Sequence, residues 1–200
     1  MIQLNENVLT VMDVETTGRE AGYHDVVQVA LLPLEPHTLE PHPKYRPFYQ
    51  NICPDHPERA EPEAMAVNGL DMDELLMCPT REQVEDALIQ WQRDLQLPLG
   101  KRIVPLCQNS SFDVGFMQKF LGIELFSQIF SRRGRDTMYL AASLNDRASF
   151  LGFAVPFHEV GLKPLCKHFG INIDNHHDAM ADCLATAQLY RELLRMELME

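Results

Sequence analysis

The sequence predicts an α/β or α+β fold, a β-sheet with helices packed on it, and three observations carry that expectation. Short apolar runs bounded by turn residues fill the first half of the chain, and apolar residues at helical spacing fill most of the second. Acidic residues stand where apolar runs give way to turns or helices, the junctions at which such folds place ligands.

Residues 8–14 form an apolar run that carries Asp13, Glu15 and then Thr16, Thr17 and Gly18, a buried strand entering a turn. Residues 26–34 make a second strand. Prolines recur through residues 33–47, which excludes a helix and predicts a loop or irregular hairpin link, and residues 48–52 make a third strand. Short helices are expected at residues 61–67 and 72–76. Thr80 with Gln83 three residues on is a capping box, continued by Val84, Ala87, Leu88, Trp91 and Leu95 at helical spacing. Residues 103–107 are a further apolar strand, after which Asn109, Ser110 and Ser111 are placed to cap a helix with Phe112, Phe116 and Phe120 on one face. The remainder reads as a helix over 136–145, a loop with aromatic residues over 148–160, and a helix over 162–169 stopped by Gly170. A long helix then runs from about Ala179 to the end.

With 200 residues, 46% of them apolar, the chain can bury one substantial core, and residues 1–200 are expected to form one domain. No run approaches the 18 or so apolar residues of a membrane span, and the first twenty lack the order of a secretory signal, so a soluble cytoplasmic protein with no membrane partner is expected. Five cysteines, far apart and never in a C-x-x-C pair, predict reduced and mostly buried thiols. A net charge of −12 argues against a broad basic surface gripping nucleic acid, so chemistry on nucleic acid here would lean on bound cations.

Side chains two apart on a strand share a face, so Asp13 and Glu15 aim two carboxylates at one place. Such a pair is costly unless a cation neutralises it, and hard divalent cations prefer oxygen donors, although an isolated D-x-E is more often a solvated turn. Asp113 sits at the next strand-to-helix junction, where an ordinary helix start also welcomes an acid. On the last helix, Met180, Cys183, Leu184, Ala187, Tyr190, Leu194 and Leu198 trace an apolar stripe. Asp182 instead lines up with Ala185, Leu189 and Leu193, among apolar neighbours where a carboxylate wants a partner. Five residues on a helix turn through about 140°, so His177 shares a site with Asp182 only from the preceding loop. Nothing in the spacing chooses between His176 and His177.

Together, residues 11–18 (VMDVETTG), 109–113 (NSSFD) and 177–182 (HDAMAD) resemble, in order and separation, the three motifs of the DEDD family of exonucleases, histidine subclass. The resemblance extends through 61–70 (EPEAMAVNGL), 136–142 (DTMYLAA) and 162–171 (LKPLCKHFGI), and is closest to bacterial proofreading-type exonuclease domains such as the epsilon type of DNA polymerase III. It implies a ribonuclease H-like fold, a mixed five-stranded sheet flanked by helices, and two Mg²⁺ or Mn²⁺ ions held by Asp13, Glu15, Asp113 and Asp182. His177, which begins the H-x-A-x-x-D pattern, becomes the general base, since the tyrosine of the other subclass would fall at Asp178.

The implied activity is 3′-to-5′ hydrolysis of single-stranded DNA, releasing nucleoside 5′-monophosphates. Thr16, Thr17, Gly18, Asn109 and Phe112 would contact the substrate, the aromatic loop around residues 150–157 is a second candidate for base stacking, and Phe116 and Phe120 are expected in the core. Asn68 departs from the family, where close relatives commonly carry His before the glycine. A DNA polymerase is the implied protein partner, and residues 96–99 faintly resemble a sliding-clamp peptide. Two rivals stand beside this reading: an exoribonuclease trimming RNA 3′ ends, and a noncatalytic binding module that keeps the fold.

Overall fold

The computed structural model describes residues 2, 4–173 and 177–196. Its centre is β1 (Val8–Thr16), which pairs antiparallel with β2 (Val26–Pro33) on one side and parallel with β4 (Ile103–Cys107) on the other. The edges are β3 (Phe48–Asn51), antiparallel to β2, and the two-residue β5 (Arg135–Asp136), parallel to β4, so the order is β3-β2-β1-β4-β5. This is the mixed five-stranded sheet expected. The proline-rich link between β2 and β3 is the irregular hairpin anticipated, stitched by one bridge from Leu34 to Pro41.

Strand alternation divides the core. Val8, Met12 and Val14 face α3 (Arg81–Asp94), α4 (Ser110–Leu121) and α5 (Ile123–Ile129), where Val84, Leu88, Phe116, Phe120 and Phe126 are buried. Leu9 and Val11 face the opposite way, onto Ala179, Cys183, Ala187 and Tyr190 of α8 (Ala179–Arg195). Asp13 and Glu15 continue this second row, so the central strand delivers both carboxylates to the α8 side.

The outer flank of α8 packs Ala185, Leu189 and Leu193 against α6 (Thr137–Phe150) and α7 (Leu162–Phe169). The stripe expected on this helix is therefore corrected in part: Leu184 and Leu194 are 41% and 46% exposed, while the line shared with Asp182 is buried. A helix held between a sheet and two other helices needs two apolar faces, which one stripe cannot supply. Leu198 lies outside the described residues.

The two short helices are α1 (Pro62–Asn68), ended by Gly69 in the left-handed region, and α2 (Met72–Leu75). Thr80 and Gln83 form the expected capping box of α3. The helix α5, the strand β5 and a 3-10 turn at Pro57–Arg59 were not anticipated, and α6 runs five residues beyond the helix expected there, to Phe150. Cys107, Cys166 and Cys183 are buried, Cys53 and Cys78 are partly buried, and all five are free thiols. Among the described residues no helix is long and apolar enough to cross a membrane.

Candidate active site

Parallel strands β1 and β4 end on the same edge of the sheet, and the chain turns there into α4, which begins beside the last residues of β1. Asp113, in the first turn of α4, is 3% exposed, and its Oδ1 accepts a 3.2 Å bond from the backbone N–H of Val14, between Asp13 and Glu15. From the other layer α8 brings Asp182, 6% exposed, over the same strand. His177 lies one residue before Asp178, the N-cap of α8, in the left-handed backbone region at φ +74°. It thus occupies the loop position from which it can share a site with Asp182.

Donor atoms of Glu15, His177 and Asp182 all lie within 4.8 Å of one another. Asp13 and Asp113 stand beside this trio rather than in it. Burial pushes Asp13 well above the usual carboxylate range, and the charges of Asp113, Glu15 and Asp182 add to the rise. Glu15 is pushed up to about 8, first by burial and then by Asp182 and Asp113. Burial also lifts Asp113 to about 8, against the lowering effect of the Val14 N–H. Carboxylates that hold protons this tightly form a site deficient in positive charge. Four hard oxygen donors and an imidazole fit a divalent cation. His176 lies outside the described residues.

The expected substrate contacts divide. Thr16, Gly18 and Phe112 line a cavity of ≈ 320 Å³ together with Glu15, Arg19, Glu63, Ala64 and Val67, so of the site carboxylates Glu15 is the one that borders it. Thr17 is turned inward and fully buried: its Oγ accepts from Asp25 N (2.9 Å) and its carbonyl from Glu61 N (2.7 Å). It shapes the turn and does not face the cavity. Asn109 is absent from the lining; its backbone is left-handed at φ +71° and its Oδ1 accepts from Ser111 Oγ at 2.7 Å. Phe116 and Phe120 are core residues as expected, and so is Phe157, whereas Phe150 and Phe153 are exposed.

Around the site, several side chains have roles other than those the sequence predicts. Asn109 was expected to cap α4 but makes no capping bond there. The carboxylate of Asp136 does so instead, accepting from Ser110 N (2.6 Å) and, more weakly, Asn109 N (3.4 Å), while also capping α6 through Met138 N and Tyr139 N. One side chain closes two helix N-termini and fixes where Asp113 begins its turn. Gln28 is a polar residue inside a strand that is otherwise wholly apolar, a signal that could have been read. Asn68, at the end of α1, donates to Thr16 O (3.2 Å) and accepts from Leu70 N (3.0 Å), tying that helix to the end of β1.

The fold is shared with solved nucleases. The nuclease domain of 3′hExo, a DEDDh family member bound to rAMP, matches at a TM-score of 0.68 and 17% identity, over 95% of this chain and 92% of that one. Exonuclease I of E. coli in complex with a dT13 oligonucleotide matches at 0.68 and 18%, over 94% of this chain and 41% of that one. Cell-death related nuclease 4 matches at 0.74 and 18%, over 95% and 64%. The arrangement is the ribonuclease H-like one.

In sequence, the chain is 29% identical over 188 residues to the DNA polymerase III PolC-type of Streptococcus pneumoniae, covering 94% of this chain and 11% of that protein. The corresponding protein of Staphylococcus aureus is 26% identical over 195 residues, covering 97% and 12%. The chain thus spans about a tenth of the length of the curated relatives it matches. The family model described as RNase_T, Exonuclease, matches residues 10–190, and the chain belongs to that exonuclease family.

Proposed function

We propose that residues 1–200 act as one cytoplasmic, divalent-cation-dependent 3′-to-5′ exonuclease domain that removes nucleotides from single-stranded DNA. The observation that carries this reading is the convergence of Glu15, His177 and Asp182 within 4.8 Å, with the buried Asp113 and the half-buried Asp13 beside them. Asp13, Glu15, Asp113 and Asp182 hold the cations, and their mutual repulsion is relieved by doing so. Two Mg²⁺ or Mn²⁺ ions, when bound, neutralise charge at the scissile phosphate and act as Lewis acids there.

An imidazole nitrogen of His177 takes the proton of the attacking water as its oxygen bonds to phosphorus. The bond from phosphorus to the 3′ oxygen breaks, that oxygen is protonated, and a nucleoside 5′-monophosphate leaves. Thr16 and Gly18, which line the cavity beside Glu15, face the terminal sugar, and the half-buried ring of Phe112 offers a face to its base.

DNA is favoured because the sequence relatives are DNA polymerases and Exonuclease I was solved with a dT13 strand. The same likeness to polymerases supports a polymerase as partner. RNA is the second reading, favoured by the rAMP bound to the 3′hExo nuclease domain. Labelled DNA and RNA oligonucleotides of one sequence, incubated with Mg²⁺ or Mn²⁺, test both. We expect stepwise 3′ shortening of DNA that EDTA stops and that Asp13→Ala or Asp182→Ala abolishes. Preferential loss of RNA would move the substrate to the second reading, and no shortening of either would leave a noncatalytic binding module.

A further inference from the structure

Facing the N-terminus of α8 is a row of polar side chains that crosses three strands. In register, Glu15 of β1 stands opposite Gln28 of β2, and Gln28 opposite Asn51 of β3; Tyr49, two residues from Asn51, shares its face. Gln28 is 2% exposed and all its bonds are made. Its Nε2 donates to Asn51 Oδ1 (2.8 Å) and to the Tyr49 hydroxyl oxygen (3.0 Å), and its Oε1 accepts from Ala179 N at 2.8 Å. The Tyr49 hydroxyl in turn donates to Oδ2 of Asp178, whose Oδ1 caps α8 by accepting from Met180 N and Ala181 N.

The two residues that follow His177 are therefore each tied to the strands beside Glu15, Ala179 to β2 and Asp178 to β3. His177 itself holds a left-handed backbone conformation, uncommon for a residue other than glycine, at φ +74°. We infer that Gln28 and Tyr49 are positioning residues for the His177 imidazole: they lock residues 178–179 to β2 and β3 and so set the imidazole against Glu15 and Asp182. The inference rests on His177 acting as the general base. A base must come within about 3 Å of the proton it takes, and a displacement of about 1 Å lowers turnover by as much as a hundredfold.

Tyr49→Phe tests it, because the ring is 45% exposed and only a hydroxyl is lost. We expect kcat to fall about tenfold with KM unchanged, since substrate contacts are untouched. In a His177→Ala background the same substitution should have no further effect, which a merely structural role would not produce. In the metal-free protein, Gln28→Met should speed amide exchange at Ala179 about tenfold while amides of β4 keep their protection. Unchanged kcat in Tyr49→Phe, an equal fall in both backgrounds, or unaltered exchange at Ala179 would each overturn the inference. Full activity in His177→Ala would instead remove the general base, and this inference with it; an impaired His177→Ala beside an unaffected Tyr49→Phe removes the positioning role alone.

Discussion

Glu15→Gln should make the metal-free protein more stable at alkaline pH while destroying its response to Mg²⁺. In the fold Glu15 titrates at about 8 instead of 4.5, so between those values the folded protein binds more protons than the unfolded chain. Stability then falls as pH rises through that window, and the loss is complete above about 8. A rise from 4.5 to about 8 corresponds to about 5 kcal/mol at about 1.4 kcal/mol per pH unit. Glu15 is only partly buried, and solvent screening reduces this to roughly 2 kcal/mol. For a chain of this size that is roughly 4–8 °C in Tm.

The assay is calorimetric unfolding in EDTA at pH 5 and pH 8. The variant should melt higher at pH 8, and the two proteins should nearly coincide at pH 5, where the folded wild type holds the proton. Adding Mg²⁺ should raise the wild-type Tm by mass action and leave the variant nearly unmoved. A variant no more stable at pH 8, or a difference that ignores pH, would refute the like-charge strain on which the site is argued.

Two further outcomes follow from the packing. Asp136→Ala removes the cap from α4 and α6 together and should lower stability by about 2 kcal/mol in urea unfolding, whereas Asp136→Asn, which keeps an acceptor, should lose less. A Cβ at residue 18 would lie 2.3 Å from the His24 ring, so Gly18→Ala should cost about 1–3 kcal/mol by thermal melting, largely restored by His24→Ala.

The parts of the fold legible in the sequence are those whose local pattern agrees with their tertiary use. Residues 8–14 and 26–34 are apolar because β1 and β2 are covered on both faces, and Thr80 with Gln83 caps α3 by contacts three residues apart. The strand β5 has two residues, too few to show any alternation, and its pairing partner is supplied by β4 from far away in sequence. The helix α5 follows α4 with only Gly122 between them, and no separate capping pattern announces it.

In the site, Asp13, Glu15 and Asp182 were conspicuous as acids among apolar neighbours, whereas Asp113 reads equally well as an ordinary helix start, and it is the order of the motifs that joins the four. The motif order added His177, which spacing could not choose. The ties that place His177 escaped notice because they join residues 151 and 129 positions apart, a separation on which local pattern is silent. Asn109 misled for a related reason: an Asn ahead of a helix ordinarily caps it, but a carboxylate 26 residues later takes the bond from Ser110 N.

The small side chains of α8 carry a consequence for how this protein can drift. Ala179 and Ala187 set the spacing to the sheet and Ala185 the spacing to the outer helices, all at 3% exposure or less. Any bulkier residue on either flank would shift the rod as a whole, because neither neighbouring layer has room to absorb the difference. Asp182 rides on that rod, so a change of a few methylenes about one turn away would be felt as a misplaced carboxylate. Loss of turnover through mutation is accordingly expected to cluster along this helix at positions that never touch a nucleotide.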